Sequence, residues 1–405
     1  MTTPIAGPPD ALTSPDPVFR RGRSLLLPLL LAALLAVVAF RSGPRLYDDA
    51  FITMRYARNL VEGHGLVYNP GERILGTSAP LYALVLALPA LALGGAALPA
   101  ISTAIGLAAL IGTVFVSFRL VSRFAPPWAA ALGVAAALTP VDTLQAFASG
   151  METPLYLFGL ALAVERSAAG HLRLALFVAA ALPFLHPEGV LLFPALLVAT
   201  RVTRGRWPLR EALAPALAAT AGALVLALAF GSPLPHSVTA KRLVYERSPG
   251  AALYNLGGSL VGSILPPAAP RGVAERFGEA LTVAEVGVLL ALLGLLGGLV
   301  LRHRSTLRAE AAVALVLFAA LYVAFFAVGN PLVFPWYRPP LVLASGLVVA
   351  LVLGRALGPG AGPRNGARAF AVLVLLCVAG RLALFRPFDT RLREEAYREA
   401  IVALD

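Results

Sequence analysis

The sequence predicts an all-α polytopic membrane protein, and three observations carry that prediction. The chain is 59% hydrophobic and only 13% charged, whereas soluble domains carry about 25% charged residues. Long apolar runs recur from Leu25 to Phe385, many near the ~18–20 residues that a bilayer core requires. The arginines stand at the ends of these runs and form no basic stripe interleaved with aromatics. The formal charge of +12 is therefore an orientation signal and predicts no nucleic-acid partner.

The first 19 residues are rich in Pro, Thr, Asp and Ser, a composition that predicts disorder. Arg20, Arg21 and Arg23 follow, then an apolar run that ends at Phe40-Arg41 without a small-residue cleavage site. It reads as a retained first span. Eleven spans are expected, at 24–40, 100–118, 127–147, 153–165, 172–185, 188–200, 212–230, 283–301, 311–328, 337–354 and 369–385. They form one membrane domain, 24–385, between a cytoplasmic N-terminus, 1–23, and a short outer tail, 386–405. The long outer loops are 41–99 and 231–282. Pro80–Leu93 is too short to span and reads as re-entrant or interfacial. With that assignment, 17 basic and five acidic residues fall on the cytoplasmic side, and 16 of each fall outside. A spanning 80–93 would reverse the asymmetry. The lone cysteine, Cys377, excludes an intrachain disulfide and reads as a small buried hydrophobe.

Five polar clusters fall on the outer side. The densest is Tyr47 through Leu60, where Ile52, Tyr56 and Leu60 repeat at helical spacing. It predicts an amphipathic surface helix over 49–62, ended by Gly63-His64-Gly65. Asp48 and Asp49 begin it. One reading has Asp48 capping the helix and Asp49 complementing its dipole. The other makes one of them a general base for an attacking hydroxyl. Glu152 precedes a span, either as a first-turn acid or as a ligand for a sugar hydroxyl, a cation or the acceptor. His186 and Glu188 lie in a break between two apolar runs, where ionisable groups need partners or a wet cavity. His236, Lys241 and Arg242 follow an aliphatic span, so Lys241 is either a snorkelling anchor or a ligand for a lipid phosphate. Trp336, Tyr337 and Arg338 read as an aromatic belt with a cation that can pair with phosphate. Phosphate-loop, metal-spacing and nucleophile-elbow patterns do not appear, and whether a divalent cation assists stays open.

The run from Tyr47-Asp48-Asp49-Ala50-Phe51 through Gly63-His64-Gly65 to Asn69-Pro70-Gly71-Glu72 resembles the first outer loop of GT-C fold glycosyltransferases. The subgroup it is most similar to is the actinobacterial terminal arabinofuranosyltransferase type. Ser149-Gly150-Met151-Glu152-Thr153, His186-Pro187-Glu188-Gly189, Pro233-Leu234-Pro235 with Lys241, and Pro335-Trp336-Tyr337 follow in that family's order. The resemblance implies a polyprenyl-phosphate sugar donor, possibly of a pentofuranose such as arabinose. It also implies a cell-envelope glycan, lipid or protein acceptor, and inverting transfer on the outer face of a bacterial cytoplasmic membrane. It places the base at Asp48 or Asp49, and donor phosphate or sugar contacts among Arg55, Arg58, Glu152, His186, Glu188, His236, Lys241, Arg242, Tyr337 and Arg338. Family members tend to have Arg where His186 stands and Glu-Gly where Leu75-Gly76 stands. They commonly continue into a folded outer domain; after the charged stretch Arg391–Glu399 the sequence here runs only to Asp405, and no such acceptor-binding module is expected.

Two other classes compete. A transporter or flippase of lipid-linked sugars would show repeats and midplane ionisable residues, and the span interiors are almost free of charge. An inactive envelope-assembly scaffold follows if the short tail removes acceptor binding.

Overall fold

The computed structural model describes residues 25–41, 46–238, 240, 250–264, 309–358 and 365–384. Among these residues the chain is helical, with no strand. The helices are α1 (Leu26–Phe40), α2 (Asp48–Val61), α3 (Pro80–Leu93), α4 (Leu98–Val121), α5 (Pro127–Leu138), α6 (Val141–Ala146) and α7 (Thr153–Ala168). There follow α8 (Leu172–Ala181), α9 (Leu192–Arg204), α10 (Leu209–Phe230), α11 (Ala251–Ile264), α12 (Glu310–Gly329), α13 (Pro339–Leu357) and α14 (Asn365–Leu384). Five stretches are long and apolar enough to cross a membrane: Gly95–Val121, Leu209–Phe230, Glu310–Gly329, Pro335–Leu357 and Asn365–Ala383. Shorter apolar helices accompany them, and the whole is a multi-pass membrane protein. Ten of the expected spans have a helical counterpart; the one expected at 283–301 lies outside the described residues, as does the tail.

The run expected as one helix over 127–147 is two, α5 and α6, separated at Thr139-Pro140. Proline cannot donate to the preceding turn, and its ring clashes with the carbonyl four residues back. The break turns Asp142 toward the start of α13, where it meets Arg338 at 3.0 Å.

The centre of the bundle is a seam between α5 and α13 made by small residues. A methyl group on Gly133 would lie 2.6 Å from the Ala350 Cβ, and one on Gly346 2.7 Å from the Ala137 Cβ. Gly354 meets Ala125 in the same way. Spacings of four residues put each set on one face. Backbones can then approach closely, which is how helices associate where lipid leaves no hydrophobic drive between them. The stretch Pro335–Leu357 is accordingly 72% buried in the bundle, against 11% for Leu209–Phe230 at its surface.

Helix α3 packs along α2. Tyr82 near its start donates to the Gly150 carbonyl at 3.2 Å. Just past its end, a methyl on Gly95 would meet the Arg58 side chain of α2 at 3.2 Å.

Candidate functional site

Helix α2 begins one residue earlier than the sequence periodicity implies. Tyr47, in extended conformation, stands at its N-cap without a side-chain cap bond. Asp48 is therefore a first-turn residue and not the cap, which corrects that expectation. Its exposed carboxylate accepts the Asp49 amide at 3.0 Å. Asp49 is half-buried and closes the first turn by its charge. The buried stripe runs through Ala50, Thr53, Met54 and Ala57, while Ile52 and Leu60 are only half-buried.

The polar face of α2 is stitched to the returning loop. Thr53 bonds to Thr77 at 2.8 Å. Tyr56 donates to the Ile74 carbonyl and accepts from the Gly76 amide, both at 2.6 Å. Asn59 donates to the Val67 and Tyr68 carbonyls, both at 2.8 Å. Residues three apart lie on one face, so this ladder holds the loop alongside the helix. The helix ends as expected at Gly63, whose φ of 83° belongs to the left-handed region, and His64 bonds back to the Asn59 carbonyl at 2.8 Å.

Two distant turns meet the start of α2, and the His186–Glu188 turn packs behind them. The Tyr47 amide donates to the Ser149 carbonyl at 2.9 Å. The Tyr47 ring lies 5.8 Å from that of Trp336. Burial, and then the charge of Asp142, push the Tyr47 hydroxyl up to about 12. The Tyr337 ring packs edge-on against His186 at 5.2 Å, and Tyr156 stacks on the other side at 5.3 Å. His186 Nδ1 bonds the Glu188 carboxylate, and its Nε2 lies 4.0 Å from Glu152. All three are buried. Glu152, His186 and Glu188 thus form one buried cluster against the Tyr337 ring. Tyr322 fixes that turn by donating to the Tyr337 carbonyl at 2.7 Å. His236 sits further along the loop, exchanging hydrogen bonds with the Leu75 backbone at 2.8 and 3.2 Å.

The expected cations are placed differently. Arg338 is held by Asp142, and Arg58 by Glu62 at 2.7 Å on the surface. Arg55 donates to the Tyr68 carbonyl at 2.9 Å and lies over its ring. Lys241 and Arg242 lie outside the described residues. Arg73, which the sequence did not single out, stands at the rim of an apolar groove of about 940 Å³ bounded by α3, α8 and α10. Tyr47, Asp142 and Tyr156 were also missed as site residues. Among the described residues no group of three or more His, Cys, Asp or Glu has the geometry to hold a metal ion.

No protein-family model and no curated protein matches the sequence. Two solved structures do match in three dimensions. One is ArnT from Cupriavidus metallidurans bound to undecaprenyl phosphate, with a TM-score of 0.56 and 16% identity over 87% of this chain and 69% of that one. The other is ArnT from the same organism in the apo state, with a TM-score of 0.50 and 16% identity over 88% and 74%. At this identity the likeness is one of fold, and the GT-C-like, polytopic all-α architecture expected from the sequence is the one observed.

Proposed function

We propose that the protein is a membrane glycosyltransferase that moves a sugar from a polyprenyl-phosphate donor to a hydroxyl of a cell-envelope acceptor. The observation that carries this reading is the buried cluster of Glu152, His186 and Glu188 against the Tyr337 ring, whose neighbour Trp336 packs on Tyr47 at the start of the Asp48–Asp49 turn. The fold is that of a protein crystallised with undecaprenyl phosphate, which supports a donor of the same lipid class.

Asp49 is the general base. It is half-buried, whereas Asp48 is exposed and accepts the Asp49 amide. The acceptor oxygen gives its proton to Asp49 and attacks the anomeric carbon from the face opposite the phosphate. The bond from that carbon to the phosphate oxygen breaks, its electron pair leaves with the polyprenyl phosphate, and the configuration inverts. Such a leaving group needs no strong acid, only cations near the developing charge. Arg55 and Arg73, both exposed on the first loop, and Lys241 and Arg242 further along the chain, are the groups proposed for that role. Glu152 and Glu188 accept from sugar hydroxyls, with His186 holding Glu188 in place. The groove beneath Arg73 takes the lipid chain. This end of the bundle is the outer one by the arginine asymmetry, in the cytoplasmic membrane of a bacterium. A pentofuranose is the first sugar to try, because the first-loop residues resemble arabinofuranosyltransferases.

The test is transfer by purified protein in lipid from a panel of radiolabelled polyprenyl-phosphate sugars to a cell-envelope glycan extract. Label moving from one donor into the glycan fraction is the expected result. Failure of every donor, with folded protein and an extract that accepts sugar from another transferase, overturns the reading.

A further inference from the structure

At the end of the bundle away from Asp49, a cavity of about 510 Å³ opens between the start of α8 and the α9–α10 turn. His171, Arg173, Arg204 and Arg206 line it against one acid, Glu211. Arg204 is balanced by Glu310 at 2.6 Å and Arg206 by Glu211 at 2.7 Å. Arg173 has no carboxylate partner among the described residues; its guanidinium lies 5.9 Å from the Phe177 ring. The cavity therefore carries an excess of positive charge. Its remaining wall is apolar and lipid-facing, with Leu174 and Phe177 exposed. Phe177 also lines the groove between α8 and α10, so a cationic mouth continues into an apolar channel.

We propose that this cavity binds an anionic phospholipid, with the phosphate at Arg173 and Arg206 and an acyl chain against the lipid-facing Leu174 and Phe177. The exposed apolar side chains beside the arginines, Leu174 and Phe177, support a phospholipid over a free anion. Trp207, exposed next to Arg206, has the character of a side chain at headgroup depth. Basic pockets between membrane helices are suited to anionic headgroups. The lipid would bridge α8 and α10, whose opposite ends lead to His186–Glu188 and to the His236 loop. The inference does not rest on the transferase reading, since binding is measured without turnover.

The experiment is native mass spectrometry of the full-length protein released from nanodiscs of equal phosphatidylglycerol and phosphatidylcholine. The variants are Arg173→Gln, Arg206→Gln, their combination, and Arg201→Gln as a control outside the cavity. Phosphatidylglycerol should be enriched on the parent and on Arg201→Gln. Enrichment should fall roughly five-fold for each cavity arginine removed, and millimolar inorganic phosphate should leave it unchanged. Equal retention of both lipids, or enrichment that survives the double substitution, overturns the proposal. Loss of enrichment in phosphate also overturns it, by assigning the cavity to a free anion. If the double variant does not fold, Arg173→Gln alone decides, because it breaks no ion pair.

Discussion

Replacing Gly346 with alanine adds one methyl group to α13 where the neighbouring helix leaves no room. The new carbon would stand 2.7 Å from the Cβ and 2.8 Å from the Cα of Ala137. Carbon atoms in ordinary contact stand ~3.5–4.0 Å apart, so α5 and α13 must part by about 1 Å. Neither opposing atom can rotate away, since one is backbone and the other is attached directly to it. A gap of that size forfeits up to about half of the dispersion energy of each contact along the seam. Gly133–Ala350 and Gly354–Ala125 lie on the same seam and loosen with it. Overpacking of this kind costs about 1–3 kcal/mol. Because α13 starts directly after Arg338, the shift also displaces Trp336 and Tyr337. The assay is thermal unfolding of parent and variant in the same lipid–detergent mixture, followed by tryptophan fluorescence, with Gly257→Ala as the control. Among the described residues nothing stands within 4 Å of a methyl group at Gly257, so that change should not destabilise, and the helical preference of alanine over glycine should add up to about 1 kcal/mol. If Gly346→Ala unfolds at the same temperature as the parent, the seam is not as tight as described.

Three further perturbations follow from the same packing. Glu165 has a side chain only 1% exposed, with Arg119 at 3.5 Å, Arg123 at 3.2 Å and Arg166 closer still. Glu165→Gln leaves three guanidiniums without a counter-charge and should cost about 2–4 kcal/mol; an unchanged denaturation midpoint would count against it. Glu188→Gln and His186→Ala should each destabilise by about 1–3 kcal/mol, and a double-mutant cycle should give a coupling of at least ~1 kcal/mol; additive effects would mean that the buried contact is not made. Tyr47 is a half-buried phenol raised to about 12 from an ordinary value of ~10. Its contribution is fully present below the unfolded value and is lost as pH rises from ~10 through about 12. Tyr47→Phe should therefore flatten the alkaline limb of the stability profile, and an identical limb in both proteins would contradict this.

Much of this architecture was written in local sequence pattern. Apolar runs gave the helices. Ile52, Tyr56 and Leu60 located α2, and Gly63 located its end. The clusters at Glu152, His186–Glu188 and Tyr337 were visible as polar residues at the ends of apolar runs, and the bundle brings them together. What local pattern does not carry is pairing across the chain. Arg338 reads as a free cation until Asp142, 196 residues away, is placed beside it. Tyr156 looks like any aromatic residue of an apolar helix until its ring stacks on His186. Asp48 was assigned the cap because a helix boundary is uncertain by a residue or two. The split at Thr139-Pro140 was obscured because the residues on both sides are apolar.

The central claim is that Asp49 takes the proton from the acceptor, and the most direct measurement is the transfer rate of Asp49→Asn beside Asp48→Asn and the parent. All three are matched for folding and saturated with the same polyprenyl-phosphate sugar. General-base catalysis contributes typically ~10²–10⁴-fold, so Asp49→Asn should fall by at least about 10²-fold while Asp48→Asn keeps most of the parent rate. Transfer by Asp49→Asn at the parent rate, or a loss confined to Asp48→Asn, would contradict the account.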